Sequence, residues 1–527
     1  MKSFRNIVIL MLLAFSLGAI AQSKPEIPVV DTKYGKLQGT EHSGVKIFKG
    51  VPYATPPVGE LRWKETQPLK PWKGIRKADQ FGPVAMQIIN TEDWNLGTDK
   101  MSEDCLYLNI WTPTKTMDEK LPVLVYIHGG GLSAGSGSEP RYNGESMARK
   151  GIVLVSINYR LGIFGYFAYP GLREESPNNT SGDYGFLDQV AALKWVKENI
   201  AVFGGNPDKI TIAGESAGSI SVSELMCSPL SKGLFQQAIG SSASALGTMM
   251  PVPLDDAEKN GQVFAQSKGY KSLEELRAAP AEELLDQKSK FPSAIDGYFM
   301  PKSPEEIYSN GEQAHIPLLV GWNSQEIGNA LPARMPNLNF YTLQGLVNMM
   351  SGGQADKVFE LYEITNDSTA YTGGTQLFSD QWIGFGTWKW SELHKTTSGQ
   401  KVFRYLFCHC RPEKKTGNKN NGLNLPKITG AVHADDIEYA MGTLPTNRLF
   451  DWQPQDFIVS NVFQGYYVNF VKTGNPNGLG LPEWTAVNDQ VVPPVMQIDV
   501  NSYEKTDSTL EARYKFFQTF FAPLNIN

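Results

Sequence analysis

Cysteine is scarce in this sequence. Its 527 residues include only Cys105, Cys227, Cys408 and Cys410, so we expect few or no disulfides. Cys408 and Cys410 flank His409 in a strand-like stretch, where alternate side chains point to the same face. This triplet has no second cluster of metal-ligating residues at a suitable spacing, and we therefore predict that the chain holds no metal ion.

A dense cluster of lysine and arginine is also missing. The formal net charge is −6, and the most basic stretch, residues 411–419, lies in a region rich in glycine and asparagine that is typical of a solvated loop. A mildly acidic protein without a basic patch has little attraction for nucleic acid or for an anionic membrane surface. We therefore expect neither of them to be a main partner.

Long apolar runs are absent after the N-terminus, so no segment there predicts a membrane-spanning helix. At the N-terminus, two positive residues precede a short apolar run at 7–17, which is followed by a small-x-small sequence at 19–21. This order is typical of a cleavable signal peptide, and the run is too short to favour an anchor. We predict a signal peptide over residues 1–21 and a secreted or periplasmic mature chain.

Linkers rich in proline, glycine or serine are missing as well, and there is no internal repeat, so residues 22–527 are predicted to form a single domain. Strand-like and helix-like segments alternate, which predicts a mainly parallel sheet covered by helices. Two helical stretches, around 247–314 and 335–390, are predicted to be insertions that wall the site. The predicted strands are 106–112, 122–128, 152–158, 209–213, 236–240, 316–321 and 401–407, and the predicted helices are 187–199, 219–226, 254–267, 272–278, 355–362 and 510–521.

The most informative motif is the pentapeptide Gly-Glu-Ser-Ala-Gly at 214–218, which lies between a predicted strand and a predicted helix. A serine on such a turn is held in a strained conformation with its hydroxyl pushed out above the sheet. Ser216 is therefore the candidate nucleophile. The Ala217 amide, at the helix N-terminus, is a candidate donor to a developing negative charge. A purely structural Gly/Ser turn is the alternative.

Residues 126–132 supply further candidate donors, because three consecutive glycines follow an apolar strand and a histidine there. Such a run leaves backbone N–H groups unobstructed, as in the oxyanion loop that accompanies a nucleophile elbow. We predict that Gly130 and Gly131 join Ala217 in an oxyanion hole, with a flexible glycine turn as the alternative. His128 precedes the nucleophile, which is the wrong order for the base, and we assign it a structural role.

A serine nucleophile needs a base, and four of the six histidines follow Ser216: His315, His394, His409 and His433. His394 lies on a polar, helix-like stretch and is expected to be solvated. His409 lies within a strand-like run, and His315 precedes the strand that should supply the acid. His433 lies in a loop that opens towards an acidic helix start, and we favour it because catalytic bases commonly lie on such loops.

The acid that orients the base should end a strand between the nucleophile and His433. Glu326 does so, just beyond an apolar strand. Asp380 is a rival, although its surroundings look helical. Asp435 and Asp436 follow His433 and are too near to it in sequence. Spacing alone leaves Glu326 and Asp380 open.

These motifs resemble those of the type-B carboxylesterases, the branch of the α/β-hydrolases that includes the cholinesterases. Matching segments run over most of the mature chain, at residues 48–59, 102–109, 128–131, 158–162, 185–189, 203–207, 214–218 and 470–477. The resemblance implies an α/β-hydrolase fold, with a central, mostly parallel twisted sheet flanked by helices. It also implies a triad of Ser216, Glu326 and His433, since the last two match the family patterns G-x-N-x-x-E and G-x-x-H.

The resemblance assigns supporting positions too. Glu215 and Ser241 match positions that lie close to the nucleophile without reacting. Two structural ion pairs are implied, Arg62 with Glu103 and Arg160 with Asp188.

Three residues depart from the family pattern. Ala85 stands where the family has the cysteine partner of Cys105, so Cys105 is expected to be a free, buried thiol. Leu132 replaces the usual aromatic residue after the glycines, and Ile327 interrupts the usual Glu-Gly pair. We expect the last two to reshape the pocket without removing a catalytic group.

Together these features predict a serine-dependent hydrolase that cleaves a small-molecule carboxylic ester through a covalent acyl-enzyme, without a cofactor. One alternative is a non-catalytic, cholinesterase-like binding protein on the same fold, and another is an amidase or peptidase with the same triad. The identity of the ester and the oligomeric state are not predicted. Trp322, Trp382, Phe385 and Trp388 are candidate pocket aromatics, with packing in the core as the alternative.

Overall fold

The computed structural model describes residues 27–89, 94–415, 427–489 and 492–520. The predicted signal peptide lies outside these ranges. Within them, every predicted strand is present, with ends that differ by at most four residues. The strands are β1 (Val29–Thr32), β2 (Gly35–Gln38), β3 (Thr40–His42), β4 (Val45–Pro52), β5 (Ile75–Lys77), β6 (Tyr107–Thr112), β7 (Leu121–Ile127), β8 (Val153–Ile157), β9 (Gly205–Glu215), β10 (Gln237–Ser241), β11 (Val252–Pro253), β12 (Ala294–Ile295), β13 (Leu318–Asn323), β14 (Val402–Phe407), β15 (Val495–Ile498) and β16 (Tyr503–Lys505).

The predicted helices are present as well, although residue 521 of the last one lies outside the described residues. The prediction misses α16, the longest helix in the described part of the chain. The α-helices of the described ranges are α1 (Glu145–Arg149), α2 (Gly162–Tyr166), α3 (Pro170–Glu175), α4 (Tyr184–Asn199), α5 (Ala217–Cys227), α6 (Leu254–Lys268), α7 (Leu273–Ala278), α8 (Ala281–Leu284), α9 (Pro304–Asn310), α10 (Ala330–Arg334), α11 (Phe340–Met350), α12 (Ala355–Leu361), α13 (Asp367–Ser379), α14 (Phe385–Ser398), α15 (Ile437–Met441), α16 (Pro454–Thr473) and α17 (Ser508–Phe520). None of them is long and apolar enough to cross a membrane.

One large sheet organises the chain. Its eleven strands lie in the order β16, β15, β14, β13, β10, β9, β7, β8, β6, β4 and β3. The block from β15 to β8 is parallel throughout, and the strands outside this block pair antiparallel. The carboxyl ends of the parallel strands therefore meet at one edge of the sheet, which is where ligands bind in open α/β sheets.

Strand β7 shows why the sheet is buried on both faces. Val123, Val125 and Ile127 belong to one hydrophobic core, while Leu124 and Tyr126 belong to another on the opposite face. All five side chains are buried. Burying a Val, Leu or Ile side chain contributes about 1.5–3 kcal/mol, so a strand with no polar face is most stable in the middle of the sheet.

The two helical stretches singled out in the sequence follow β10 and β13. The first contains α6 to α9, and the second contains α11 to α13 and the start of α14, while α10 ends just before it. A third hydrophobic core joins the second stretch to α17, with Leu343, Ile383, Trp388 and Tyr514 among its buried members. This layer is therefore held by its own packing and by the last helix of the described chain.

The cysteine–histidine triplet lies elsewhere than predicted. Strand β14 ends at Phe407, so His409 follows the strand instead of lying within it. Its two ring nitrogens lie 2.8 Å from Asp456 Oδ1 and 3.1 Å from Asp499 Oδ1. All four cysteines fall in the described ranges and are free thiols. Burial raises the pKa of Cys105 well above its ordinary value.

Both ion pairs that the resemblance implies are present. Arg62 contacts Glu103 through Nε and Nη2, and Arg160 contacts Asp188 in the same two-point manner, at 2.7 and 2.8 Å. The second pair is fully buried, and the Arg160 side chain also donates to the Lys64 carbonyl oxygen. These contacts tie together segments that are distant in sequence.

Candidate active site

Ser216 is the single residue between β9 and α5, so the chain turns sharply at this position. Its φ of 56° and ψ of −125° are unfavourable for a residue with a side chain. A Cβ atom on Gly214 would lie 2.4 Å from the carbonyl oxygen of Gly218, and one on Gly218 would lie 2.1 Å from the Ile127 carbonyl oxygen. Glycine is therefore required on both sides of the serine.

Three side chains predicted from the sequence meet at this turn. His433 Nε2 lies 2.8 Å from Ser216 Oγ, and His433 Nδ1 lies 2.7 Å from Glu326 Oε2. Glu326 is buried, and its Oε1 accepts the Asn323 amide at 2.7 Å. The His433 amide donates to the Glu326 carbonyl oxygen at 3.1 Å, so backbone and side chain both fix the acid against the histidine.

Buried carboxylates dominate the electrostatics of the site. Burial lowers the pKa of His433, but Glu215, Glu326 and Asp436 outweigh it and raise that pKa above its ordinary value. Glu215 Oε1 lies 3.4 Å from His433 Nε2, on the side that faces the serine. Burial raises the pKa of Glu215. The imidazolium form of His433 is therefore strongly stabilised here.

The glycine loop follows β7 and packs directly on the serine turn. A Cβ atom on Gly129 would lie 2.5 Å from the Glu215 carbonyl oxygen and 3.1 Å from Ser216 Cβ. Gly130 and Gly131 have φ of 108° and 63°, values that glycine adopts readily. The loop thus brings its backbone next to the Ser216 side chain.

His128 lies behind this loop, as its structural assignment requires. Its ring stacks on Tyr159 with centroids 4.5 Å apart, and its Nδ1 lies 2.8 Å from the Gly129 carbonyl oxygen. Burial lowers its pKa to about 4, so the ring is neutral at physiological pH. A neutral, buried ring suits packing rather than proton transfer.

A buried network behind the site was missed in the sequence. Tyr405 Oη lies 2.7 Å from Ser241 Oγ and 3.0 Å from Asp436 Oδ2, and Tyr467 Oη lies 2.8 Å from Ser241 Oγ. The Ser241 carbonyl oxygen accepts the Ser216 amide at 2.8 Å. Ser241 was picked out by the resemblance, but neither tyrosine stands in a motif. Their only signal is burial on a strand and on a helix.

The rival acid, Asp380, does not face His433. Its carboxylate accepts the hydroxyls of Tyr362 at 2.9 Å and Tyr514 at 3.0 Å, and lies 3.2 Å from Arg513 Nε. These partners belong to the layer that joins the second insertion to α17. Asp380 is therefore occupied elsewhere.

One of the four candidate pocket aromatics touches the site. The Trp382 ring lies 4.7 Å from the His433 ring, tilted by 47°, and is 37% exposed. Trp322, Phe385 and Trp388 pack instead around Tyr514 in the third core. For these three, the alternative of core packing is correct.

The prediction that His394 is solvated is wrong. Its side chain is fully buried, with Nε2 2.8 Å from the Ile316 carbonyl oxygen and Nδ1 3.3 Å from Gln313 Nε2. Polar neighbours in sequence concealed that this position faces inward on α14. His315 lies apart from the site, with Nε2 2.8 Å from the Gly311 carbonyl oxygen.

Comparison with known proteins identifies the family. The sequence profile of the carboxylesterase family matches residues 26–517. The chain belongs to the carboxylesterase family. It is 34% identical to the medium-chain fatty acyl-CoA hydrolase precursor of Anas platyrhynchos over 532 residues, covering 92% of this chain and 91% of the relative. It is 36% identical to a fumonisin B1 esterase of Sphingopyxis macrogoltabida, covering 82% of this chain and 78% of the relative.

A solved structure supports the same assignment for this carboxylesterase. The carboxylesterase of Geobacillus stearothermophilus superimposes with a TM-score of 0.78 at 32% identity, covering 92% of this chain and 99% of that one. The predicted α/β-hydrolase fold and the predicted family are therefore confirmed. The chain is a carboxylic ester hydrolase.

Proposed function

We propose that this carboxylesterase hydrolyses a small-molecule ester through a triad of Ser216, Glu326 and His433. The observation that carries the proposal is a pair of hydrogen bonds. His433 Nε2 lies 2.8 Å from Ser216 Oγ, and His433 Nδ1 lies 2.7 Å from Glu326 Oε2. A serine hydroxyl is a weak nucleophile at neutral pH, and this geometry gives it a base within hydrogen-bonding reach. Glu326 holds the imidazole in the tautomer whose Nε2 is free to accept the proton.

In the acylation step, Ser216 Oγ forms a bond to the ester carbonyl carbon while its proton passes to His433 Nε2. The carbonyl oxygen becomes an oxyanion. When it collapses, the bond to the alcohol oxygen breaks and His433 returns the proton to that oxygen. The alcohol leaves, and an acyl-enzyme on Ser216 remains.

In the deacylation step, water attacks the same carbonyl carbon and gives a proton to His433. The bond to Ser216 Oγ then breaks, and His433 reprotonates the hydroxyl. The acid leaves and the enzyme is restored. Because His433 carries the proton in both steps, the carboxylates that stabilise its imidazolium form support both transition states.

The backbone amides of Gly130, Gly131 and Ala217 are proposed to hold the oxyanion. Support comes from the loop that packs on the serine turn, and from Ala217 as the first residue of α5, where the helix dipole favours negative charge. Loss of one such donor typically costs about a hundred- to a thousandfold in kcat. Glu215 and Ser241 support the nucleophile from behind without reacting.

The test is Ser216→Ala, assayed with p-nitrophenyl acetate, with circular dichroism as the check on folding. We expect activity to disappear while the folded signal is retained. A fluorophosphonate probe should label the wild type and not the variant. Retained turnover in Ser216→Ala would refute the nucleophile, and an unlabelled, inactive wild type would favour the non-catalytic binding protein.

The reaction class is tested with an ester and its matched amide. Amide leaving groups are poorer, and we expect the ester to be cleaved much faster. Equal rates on the two would favour the amidase alternative. The fatty acyl-CoA hydrolase and the fumonisin B1 esterase to which the chain is similar carry different substrates in their names, so a panel graded in acyl and alcohol size is the natural next assay.

We further propose that residues 22–527 act as a single exported domain after cleavage at residue 21. Support comes from the charge, apolar run and small residues of the N-terminus. N-terminal sequencing of the exported protein tests this, with a first residue of Gln22 expected. A mature protein that still begins at Met1 would contradict it.

A further inference from the structure

Helices α13 and α14 are joined by a single π-helical turn, Asp380–Gly384, which we call the π-turn. At its end, the Phe385 amide donates to the Asp380 carbonyl oxygen five residues back. Such a turn inserts one extra residue into a helix and is found frequently at functional sites.

The residue before the π-turn contacts the loop that carries the acid. Ser379 Oγ accepts the Ile327 amide at 3.2 Å, and Ile327 directly follows Glu326. Ser379 is buried, so this bond is sheltered from water. It adds a third anchor to the acid loop, beside the Asn323 amide and the His433 amide.

The middle of the π-turn contacts the base. The Trp382 ring lies against the His433 imidazole at a centroid distance of 4.7 Å. The Trp382 carbonyl oxygen accepts the Thr248 hydroxyl at 3.1 Å, which ties the turn to the first insertion as well. One short segment, residues 379–384, therefore touches His433 itself and the residue that follows Glu326.

The π-turn is held firmly from behind. Asp380 is buried and binds the hydroxyls of Tyr362 and Tyr514 and the Gln376 amide group at 2.9 to 3.0 Å. A Cβ atom on Gly384 would lie 2.4 Å from Tyr514 Oη, so the turn fits against α17 only with glycine there. Contacts on both faces fix its position between α17 and the site.

We propose that the π-turn and the residue before it form a positioning element, in which Trp382 holds His433 and Ser379 holds the loop that carries Glu326. The proposal rests on the proposed function, since it treats these two residues as the base and the acid. A catalytic imidazole displaced by about 1 Å can lose about a hundredfold in rate, so a fixed partner beside the ring has a large effect. An aromatic ring at this distance also attracts the imidazolium form of His433.

The test compares Trp382→Ala, Trp382→Phe and Ser379→Ala with the wild type, measuring kcat and KM separately on p-nitrophenyl acetate. We expect kcat of Trp382→Ala to fall about ten- to a hundredfold with KM changed by less than about threefold, because positioning acts on the transition state. Trp382→Phe keeps an aromatic ring and should recover most of kcat. Ser379→Ala should lower kcat about threefold, since one hydrogen bond to the acid loop is lost.

Tyr341→Ala is the matched control. Tyr341 is an exposed aromatic residue of the same insertion, 78% accessible, and kcat of this variant should equal that of the wild type. A rise in KM without a fall in kcat for Trp382→Ala would overturn the proposal, because Trp382 would then be only a pocket wall. If Trp382→Ala fails to fold, Ser379→Ala decides, and an unchanged kcat in that variant would overturn the proposal, since Ser379 acts on the same pair.

Failure here is distinct from failure of the proposed function. An active Ser216→Ala would refute the triad whatever the result at the π-turn. An inactive Ser216→Ala together with unchanged kcat in Trp382→Ala would refute only the positioning role.

Discussion

The two halves of the proposed active site are built in different ways. Ser216 and the glycine loop are fixed by backbone geometry, with positive φ angles and contacts that leave no room for a methyl group. Glu326 and His433 are fixed by side-chain contacts together with one backbone hydrogen bond between them, and buried carboxylates surround them. In the first half, the contacts that place the chemistry also stabilise the fold. In the second, the buried charges serve the chemistry at a cost in stability.

The largest expected loss of activity comes from the half of the site that contains Glu326 and His433. Glu326→Gln keeps the shape of the side chain but removes the charge that orients and stabilises the imidazolium. We expect kcat to fall about a thousand- to ten-thousandfold, as when the acid of a serine triad is neutralised. Thermal unfolding should change little, because a buried charge is removed. A variant within tenfold of wild-type kcat would contradict the assignment of the acid.

The half of the site that contains Ser216 and the glycine loop is tested by Gly218→Ala. The new methyl group would lie 2.1 Å from the Ile127 carbonyl oxygen, so α5 and the end of β7 must move apart. We expect a loss of about 1–3 kcal/mol in the free energy of unfolding from overpacking. Activity should fall about a hundredfold, because the serine and the glycine loop separate. Chemical denaturation measures the free energy of unfolding, and ester turnover measures the activity. A loss of only one of them would contradict the claim that the same contacts stabilise the fold and place Ser216.

This difference also explains what the sequence could predict. Ser216 and the glycine loop each occupy one contiguous stretch between regular elements, so local pattern was enough to select them. Glu326 and His433 are 107 residues apart, and each is 110 or more from Ser216, so no local rule selects them. Spacing left Asp380 as a rival until the structure placed it against Tyr514 and Arg513.

The remaining misses have the same physical origin. Helix α16 is rich in β-branched and aromatic residues, and half of its positions are buried, so it has no clean apolar stripe to signal a helix. Tyr405 and Tyr467 take their roles only from what tertiary packing brings beside them. His394 looked solvated because its neighbours along the chain are polar, whereas burial depends on the face it occupies.

A smaller effect is expected from Glu215→Gln, which removes charge without breaking the triad. His433 must be neutral to accept the proton, so kcat/KM should rise with pH as the imidazolium loses its proton. Glu215 is among the carboxylates that raise the pKa of His433, and its neutralisation should move this rise to lower pH. The pH profiles of both proteins, measured on one ester, decide this. An unchanged profile would mean that Glu215 acts mainly through packing.

The smallest effect is expected at Gly345, which serves as the matched control for Gly218. Gly345 is exposed on α11, and a Cβ atom there would meet nothing within 4 Å. Gly345→Ala should raise the free energy of unfolding by up to about 1 kcal/mol, because alanine favours the helix, and should leave kcat unchanged. The same substitution thus stabilises the chain where the backbone is free and damages it where the backbone carries the site. If Gly345→Ala lowers turnover as Gly218→Ala does, the loss at Gly218 reflects helix substitution in general and not the serine turn.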